Sequence, residues 1–255
     1  MTDDIKMNES TSLIGKLFLY VKPELLNEET HASMGFTPAE KPFDFVKDVR
    51  AVPLTLTEMG SAQRNYPLIF SNLDNPVPVA VVGLLEDANL FVDDDGQWDP
   101  ACYVPTYLRC YPFAFAKEIG GKMAVVVDRE AASVSETPEY PFFADGRISE
   151  HTEALMLLCS QYEGERKRTQ AFCQKLVELD LLTTLRAAHT PEGSTEPQSL
   201  ADYVAIDAKK LDDLPADVIF ELHQAGYLSA CYLHLYSLEN WRHLMARRVV
   251  RSTAI

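Results

Sequence analysis

Near residue 146 the hydrophobic pattern of this chain changes period, and the change limits the folds open to it. Before that point apolar residues come in short β-rich runs broken by proline, glycine and acidic turns. After it they recur at helical spacing, as Leu155 and Leu158, then Phe172, Leu176, Leu179 and Leu182. The pattern predicts an α+β fold, with a β-rich, mostly antiparallel part over 1–148 and a helical part over 149–255 packed with it as one continuous unit.

Within the first part, the run Lys16-Leu-Phe-Leu-Tyr-Val21 reads as a strand ended by Pro23. Thr55-Leu-Thr-Glu58 reads as a capping box opening a short helix that stops before Tyr66-Pro67, after which 67–70 resumes as strand. Residues 77–93 suggest two neighbouring strands separated by Glu86-Asp87, followed by a type I′ turn at Asp95-Gly96. Further strands are expected around 101–104 and at 123–128.

In the second part, 149–185 predicts two helices joined near Gly164, and 190–198, with Pro191, Gly193 and Pro197, reads as a linker. Residues 203–207 suit a short strand. Helices are expected over 215–224 and 228–247, separated by Gly226. Disorder is expected in the first dozen residues and around the linker.

Composition narrows the function classes. With 38 acidic against 23 basic residues the chain carries −15 at neutral pH, which repels phosphate backbones and anionic lipid. Nucleic acid is therefore not the expected partner; a small molecule or a protein is. Local exceptions are Arg166-Lys167-Arg168 and the group Arg242, Arg247, Arg248 and Arg251. The second group reads either as cations gathered at a helix C-terminus or as a docking patch for an acidic partner.

Five cysteines, Cys102, Cys110, Cys159, Cys173 and Cys231, form an odd set without CxxC or metal-type spacing, which suits reduced thiols in the cytoplasm. No apolar stretch approaches the length of a membrane span, and Met1-Thr2-Asp3-Asp4 does not resemble a secretory signal.

The common catalytic signatures GxGxxG, GxSxG and HExxH are missing, and Gly120-Gly121-Lys122 lacks the rest of a phosphate-binding loop. A calcium loop begun at Asp93 would place Val104 where a bidentate glutamate is needed. His151 and Glu153, with His189 or His223, have a superficial iron-site pattern, but positions i and i+2 leave opposite sides of a helix. His223 and His234 are interrupted by Gly226. No metal or other cofactor is expected.

The densest chemistry lies in Asn89-Leu-Phe-Val-Asp-Asp-Asp-Gly-Gln-Trp98 and Cys102-Tyr-Val-Pro-Thr-Tyr-Leu-Arg-Cys-Tyr-Pro-Phe113. Arg109 can offer a planar fork to a carboxylate or lie on the face of Tyr107, Tyr111 or Trp98. Alternatively it pairs internally with an acidic neighbour such as Asp93, and the aromatics are core.

Val52-Pro-Leu-Thr-Leu-Thr-Glu58, Tyr66-Pro-Leu-Ile-Phe70, Asn89-Leu-Phe-Val, Asp95-Gly-Gln-Trp98, Tyr103-Val-Pro and Leu108-Arg-Cys-Tyr-Pro-Phe113 together resemble the bacterial SapC-like family. So do Asp207, Lys210-Leu211, Glu221-Leu-His223, Gly226-Tyr-Leu and His234-Leu-Tyr-Ser-Leu-Glu-Asn240, in the same order. The resemblance runs over about residues 20 to 245 and also marks His31, a position the family commonly fills with histidine.

The family name derives from an association with bacterial surface layers, and it is shared with a peptide-transport permease that this chain does not resemble. The expectation is a binding or accessory protein with a surface built from Tyr66, Trp98, Tyr103, Tyr107, Arg109, Tyr111 and Phe113, closed by His31 and the C-terminal helices, which bring His234. The alternatives are a metal-independent enzyme that holds an anionic small molecule or peptide with Arg109 and uses His31 or His234 as base, and a surface-layer or secretion factor.

Overall fold

A computed structural model describes residues 13–14, 16–84, 89–118, 121–189, 196 and 198–253. The fold is α+β. Its sheets are antiparallel, the strands lie mostly in the first half and the helices mostly in the second. The chain divides into two compact units, one of Met1–Phe45 with Cys110–Glu163, the other of Val46–Arg109 with Gly164–Ile255.

The first unit is organised by the hairpin of strands Phe113–Glu118 and Met123–Asp128, paired from Phe113 opposite Val127 to Lys117 opposite Met123. Leu13–Ile14 adds to one side and Pro23–Leu25 to the other. The sequence pattern put the first strand at 16–21, but that segment turns instead, with Leu19 at a φ of 73°. The buried Asp128 carboxylate explains the difference. It accepts the backbone N–H groups of Val21 and Lys22 at 2.9 and 2.8 Å, donors that a strand would give to a neighbour.

The helix Glu150–Glu178 carries Leu155, Leu158, Cys159 and Tyr162 on one face, spaced three and four residues apart, and these pack with Met34, Cys110, Phe113, Val127 and Phe142. Gly35 cannot be replaced without movement, because a Cβ there would collide with the Tyr140 carbonyl oxygen of the adjacent strand. The two-residue turn with both central φ angles positive occurs in this unit. It is Asp145-Gly146, at 53° and 70°, joining Phe143–Ala144 to Arg147–Ile148.

At Asp95-Gly96, where the sequence suggested that turn, only Gly96 has positive φ. The loop is held by Asp93 Oδ1, which accepts from Asp95 N at 3.0 Å and Gln97 N at 2.8 Å. Of the two strands expected over 77–93, one forms, at Pro78–Val81, and the second is reduced to a bridge between Val92 and Trp98. The break at Glu86-Asp87 lies outside the described residues, as do the first dozen residues and most of 190–198. Residues 101–104 turn into the short helix Thr106–Cys110 rather than forming a strand.

The second unit holds a five-stranded sheet in the order Leu182–His189, Gln198–Ile206, Leu68–Phe70, Pro78–Val81, Ala51–Pro53. The helical spacing that carried the reading on to 185 stops at Glu178. Asp180 adopts a left-handed φ of 52°, Leu181 N donates to Leu176 O at 2.9 Å, and the chain leaves as a strand. Before that point the helix is unbroken through Gly164, so one long helix replaces the two expected. Gly226, at a φ of 75°, does separate Ala216–Gln224 from Tyr227–Ser237, and a second break at Leu238 sets off the last helix, Asn240–Thr253.

Candidate functional site

The capping box at Thr55 forms, and its carboxylate does more than cap. Glu58 Oε2 accepts from Thr55 N at 2.9 Å and from Thr55 Oγ1 at 2.7 Å. Oε1 accepts from Tyr103 Oη at 3.0 Å and from Thr106 N at 2.6 Å. Four donors thus surround one buried carboxylate, the condition under which a buried charge is tolerated. Thr106 in turn accepts from Arg109 Nη2 at 2.6 Å, and Tyr103 Oη lies 3.2 Å from the same nitrogen. Arg109 also stands 5.7 Å over the Tyr103 ring. These partners are not Asp93, and the guanidinium remains exposed.

Tyr66 is fully buried and donates to the Tyr103 carbonyl, while Trp98 Nε1 donates to the Tyr66 hydroxyl at 3.3 Å. Its ring meets Phe91 edge-on at 4.7 Å. Burial holds the Tyr66 phenol well above its ordinary pKa and raises that of Tyr103 as well, so both remain neutral hydrogen-bonding groups.

The structure therefore joins Tyr66, Trp98, Tyr103 and Arg109 in one network, with Tyr107 half-buried on the same short helix. His234 lies in the same unit, fully buried, where its Nε2 accepts from Ile206 N at 3.0 Å. Burial lowers its pKa to about 4.

The other three candidates belong to the first unit. His31 is buried, with Nδ1 2.8 Å from Thr30 Oγ1 and Nε2 3.5 Å from Glu24 Oε2. Tyr111 stacks on Phe45 at 4.0 Å and donates to Asp128 Oδ2 at 3.1 Å. Phe113 is core, edge-on to Phe142 at 5.2 Å. His151 stacks on Tyr140 at 4.6 Å. Among the described residues, no three His, Cys, Asp or Glu side chains are grouped to hold a metal ion. No helix among them is long and apolar enough to cross a membrane.

Beside the aromatic network, in the second unit, opens a cleft of about 620 Å³ lined by Arg64, Asn65, Leu90, Cys102, Asn240, His243, Ala246, Arg247, Val250 and Arg251. An adjoining depression of about 410 Å³ shares Leu90, Arg247 and Arg251 with it. The last helix makes one wall. Arg247 Nη2 donates to Asp99 Oδ2 at 2.6 Å and lies 3.2 Å from Cys102 Sγ, and its guanidinium covers the Phe91 ring at 4.3 Å. Arg251 Nη1 donates to the carbonyls of Asn89 and Val92 at 2.7 and 3.2 Å. The hydrogen bond from Arg247 holds the Asp99 carboxyl below its usual range.

Asn65 and Asn240 fix the segment around Arg64. Asn65 Oδ1 accepts from Tyr103 N at 3.0 Å, and Asn240 Nδ2 donates to the carbonyls of Gln63 and Tyr66 at 2.6 and 3.0 Å. The sequence reading grouped Arg242, Arg247, Arg248 and Arg251 by charge alone and missed Arg64, Asn65, Asn240 and His243. A signal was present: His243, Arg247 and Arg251 recur at intervals of four and share one helix face.

No curated protein and no solved structure matches the chain. The model of the SapC family matches residues 26–244, a span that includes the aromatic network and stops three residues before Arg247. A family match over most of the chain completes what the motifs suggested, and the chain belongs to the SapC family.

Proposed function

We propose that this chain is a binding or accessory protein whose ligand surface is the cleft between the last helix and the segment 89–103. The observation that carries the reading is the division of labour in the second unit. The polar groups of Tyr66, Trp98, Tyr103 and Glu58 are taken up by one another, so the block acts as a rigid backing. The cleft beside it is open to solvent, and its volume falls in the range of small-molecule sites.

The enzymatic alternative finds less support. His234 is buried, with its Nε2 already accepting a backbone N–H, and His31 is buried in the other unit. A surface-layer or secretion role rests on the family name alone. All five cysteines are free thiols, which favours a reducing compartment and so a cytoplasmic location.

The test is a thermal-shift screen of small metabolites on the wild-type protein and on Ala246→Trp, which fills the cleft from the exposed face of the last helix. Compounds that raise the wild-type melting temperature should lose that effect in the variant. The reading is overturned if no compound shifts the wild type, if the shifts survive Ala246→Trp, or if mass spectrometry finds a bound compound converted to product.

A further inference from the structure

The charge lining the cleft runs against the rest of the molecule. The chain as a whole carries −15, yet the cleft is lined by Arg64, Arg247, Arg251 and His243 with no aspartate or glutamate. A concave surface of one charge sign between low-dielectric walls concentrates its field and gathers ions of the opposite sign. Arg247 is paired with Asp99 and Arg251 stands 3.9 Å from Asp94, so the unpaired positive charge of this lining is that of Arg64, and Leu90, Ala246 and Val250 add apolar surface beside it.

The four basic side chains do different work. Arg247 and Arg251 are fixed by the 89–102 segment through Asp99 and the Asn89 and Val92 carbonyls, so their positions are set before any ligand arrives. Each fixed guanidinium has five N–H donors, more than these acceptors use. Arg64 and His243 are exposed and have no hydrogen-bond or ion-pair partner among the described residues. The backbone around Arg64 is nevertheless secured, since the Gln63 carbonyl is held by Asn240 and the Asn65 side chain by Tyr103. A free cationic side chain on a fixed backbone, lining the same cleft as two preset guanidinium groups, suits capture of a planar or tetrahedral oxyanion.

We infer that the cleft binds a small molecule through an oxyanion group, a phosphate or a carboxylate, carried on a partly apolar body. Arg64 closes on the anion, His243 adds a donor, and Arg247 and Arg251 offer the N–H groups that Asp99, Asp94 and the Asn89 and Val92 carbonyls leave unused. The inference rests on the binding-protein reading above and adds to it the charge of the ligand and the residue that captures it.

Isothermal titration calorimetry at constant ionic strength, with pyrophosphate and citrate as probes and chloride as control, tests it on the full chain. The wild type should bind at least one of the two, and which one distinguishes a phosphate from a carboxylate ligand. Arg64→Gln should weaken that binding about tenfold or more while leaving the melting temperature unchanged, and Ala246→Trp should abolish it.

If neither probe binds, or if affinity is unchanged in Arg64→Gln, the oxyanion inference is overturned. The binding-protein reading would survive that result, provided uncharged compounds still gave shifts that Ala246→Trp removed. Anion binding that persists in Ala246→Trp would locate the anion elsewhere and also count against the inference.

Discussion

Glu58 and Arg109 stand at the two ends of one hydrogen-bonded chain, and their environments set opposite expectations. Glu58 is buried with four donors on its two oxygens, so Glu58→Gln turns an amide N–H₂ toward groups that themselves donate. The expected cost is about 2–4 kcal/mol, read as a lower urea midpoint with unchanged slope. Arg109 is exposed, and among the described residues its partners are two hydroxyls and the Tyr103 ring, so Arg109→Lys should cost less than about 1 kcal/mol. Because Arg109 does not line the cleft, calorimetry should find the same anion affinity in that variant. The Thr55–Glu58 pair was legible in the sequence because its bonds close over three residues. The Tyr103 and Thr106 ends were not, since nothing in the local pattern says that a distant tyrosine will share the same carboxylate.

At the scale of elements, the long helix is the clearest departure from expectation. A glycine between two amphipathic stretches reads as a joint, yet Gly164 stays helical and exposed, and a Cβ built there meets nothing within 4 Å. Gly164→Ala should therefore raise stability by about 0.5–1 kcal/mol, because alanine loses less backbone entropy in a helix. A loss of stability, measured by chemical denaturation, would mean that the helix breaks there as the sequence suggested. The strand at Leu182–His189 was misread for a related reason. Its first apolar residue continues the helical spacing, and only pairing with Gln198–Ile206 assigns it to the sheet. Gly226 was legible, because a left-handed residue after a helix is a local requirement.

For the whole molecule, buried and paired titratable groups tie stability to pH. His234 takes up a proton only near pH 4, against an ordinary imidazole value of 6.5. Between those values the unfolded chain binds more protons, so stability falls as the pH drops from about 6.5 to about 4, by at most about 3 kcal/mol. Asp99 acts in the same direction at lower pH: its lowered folded pKa gives stability that is present above the unfolded value and lost as pH falls through the folded one. Urea denaturation at pH 7.5 and pH 5 should show a smaller loss in His234→Gln than in the wild type, and equal losses would remove His234 as the cause. The sequence by itself determined the α+β character, the capping box, the helix end at Gly226 and the family, because period, caps and motifs act over a few residues. Tertiary structure alone decided the strand order, the continuity of the long helix, and the use of Arg247 and Arg251 as clasps on the 89–102 segment. Those outcomes depend on which distant groups packing brings within hydrogen-bond reach, and neither local propensity nor spacing encodes that distance.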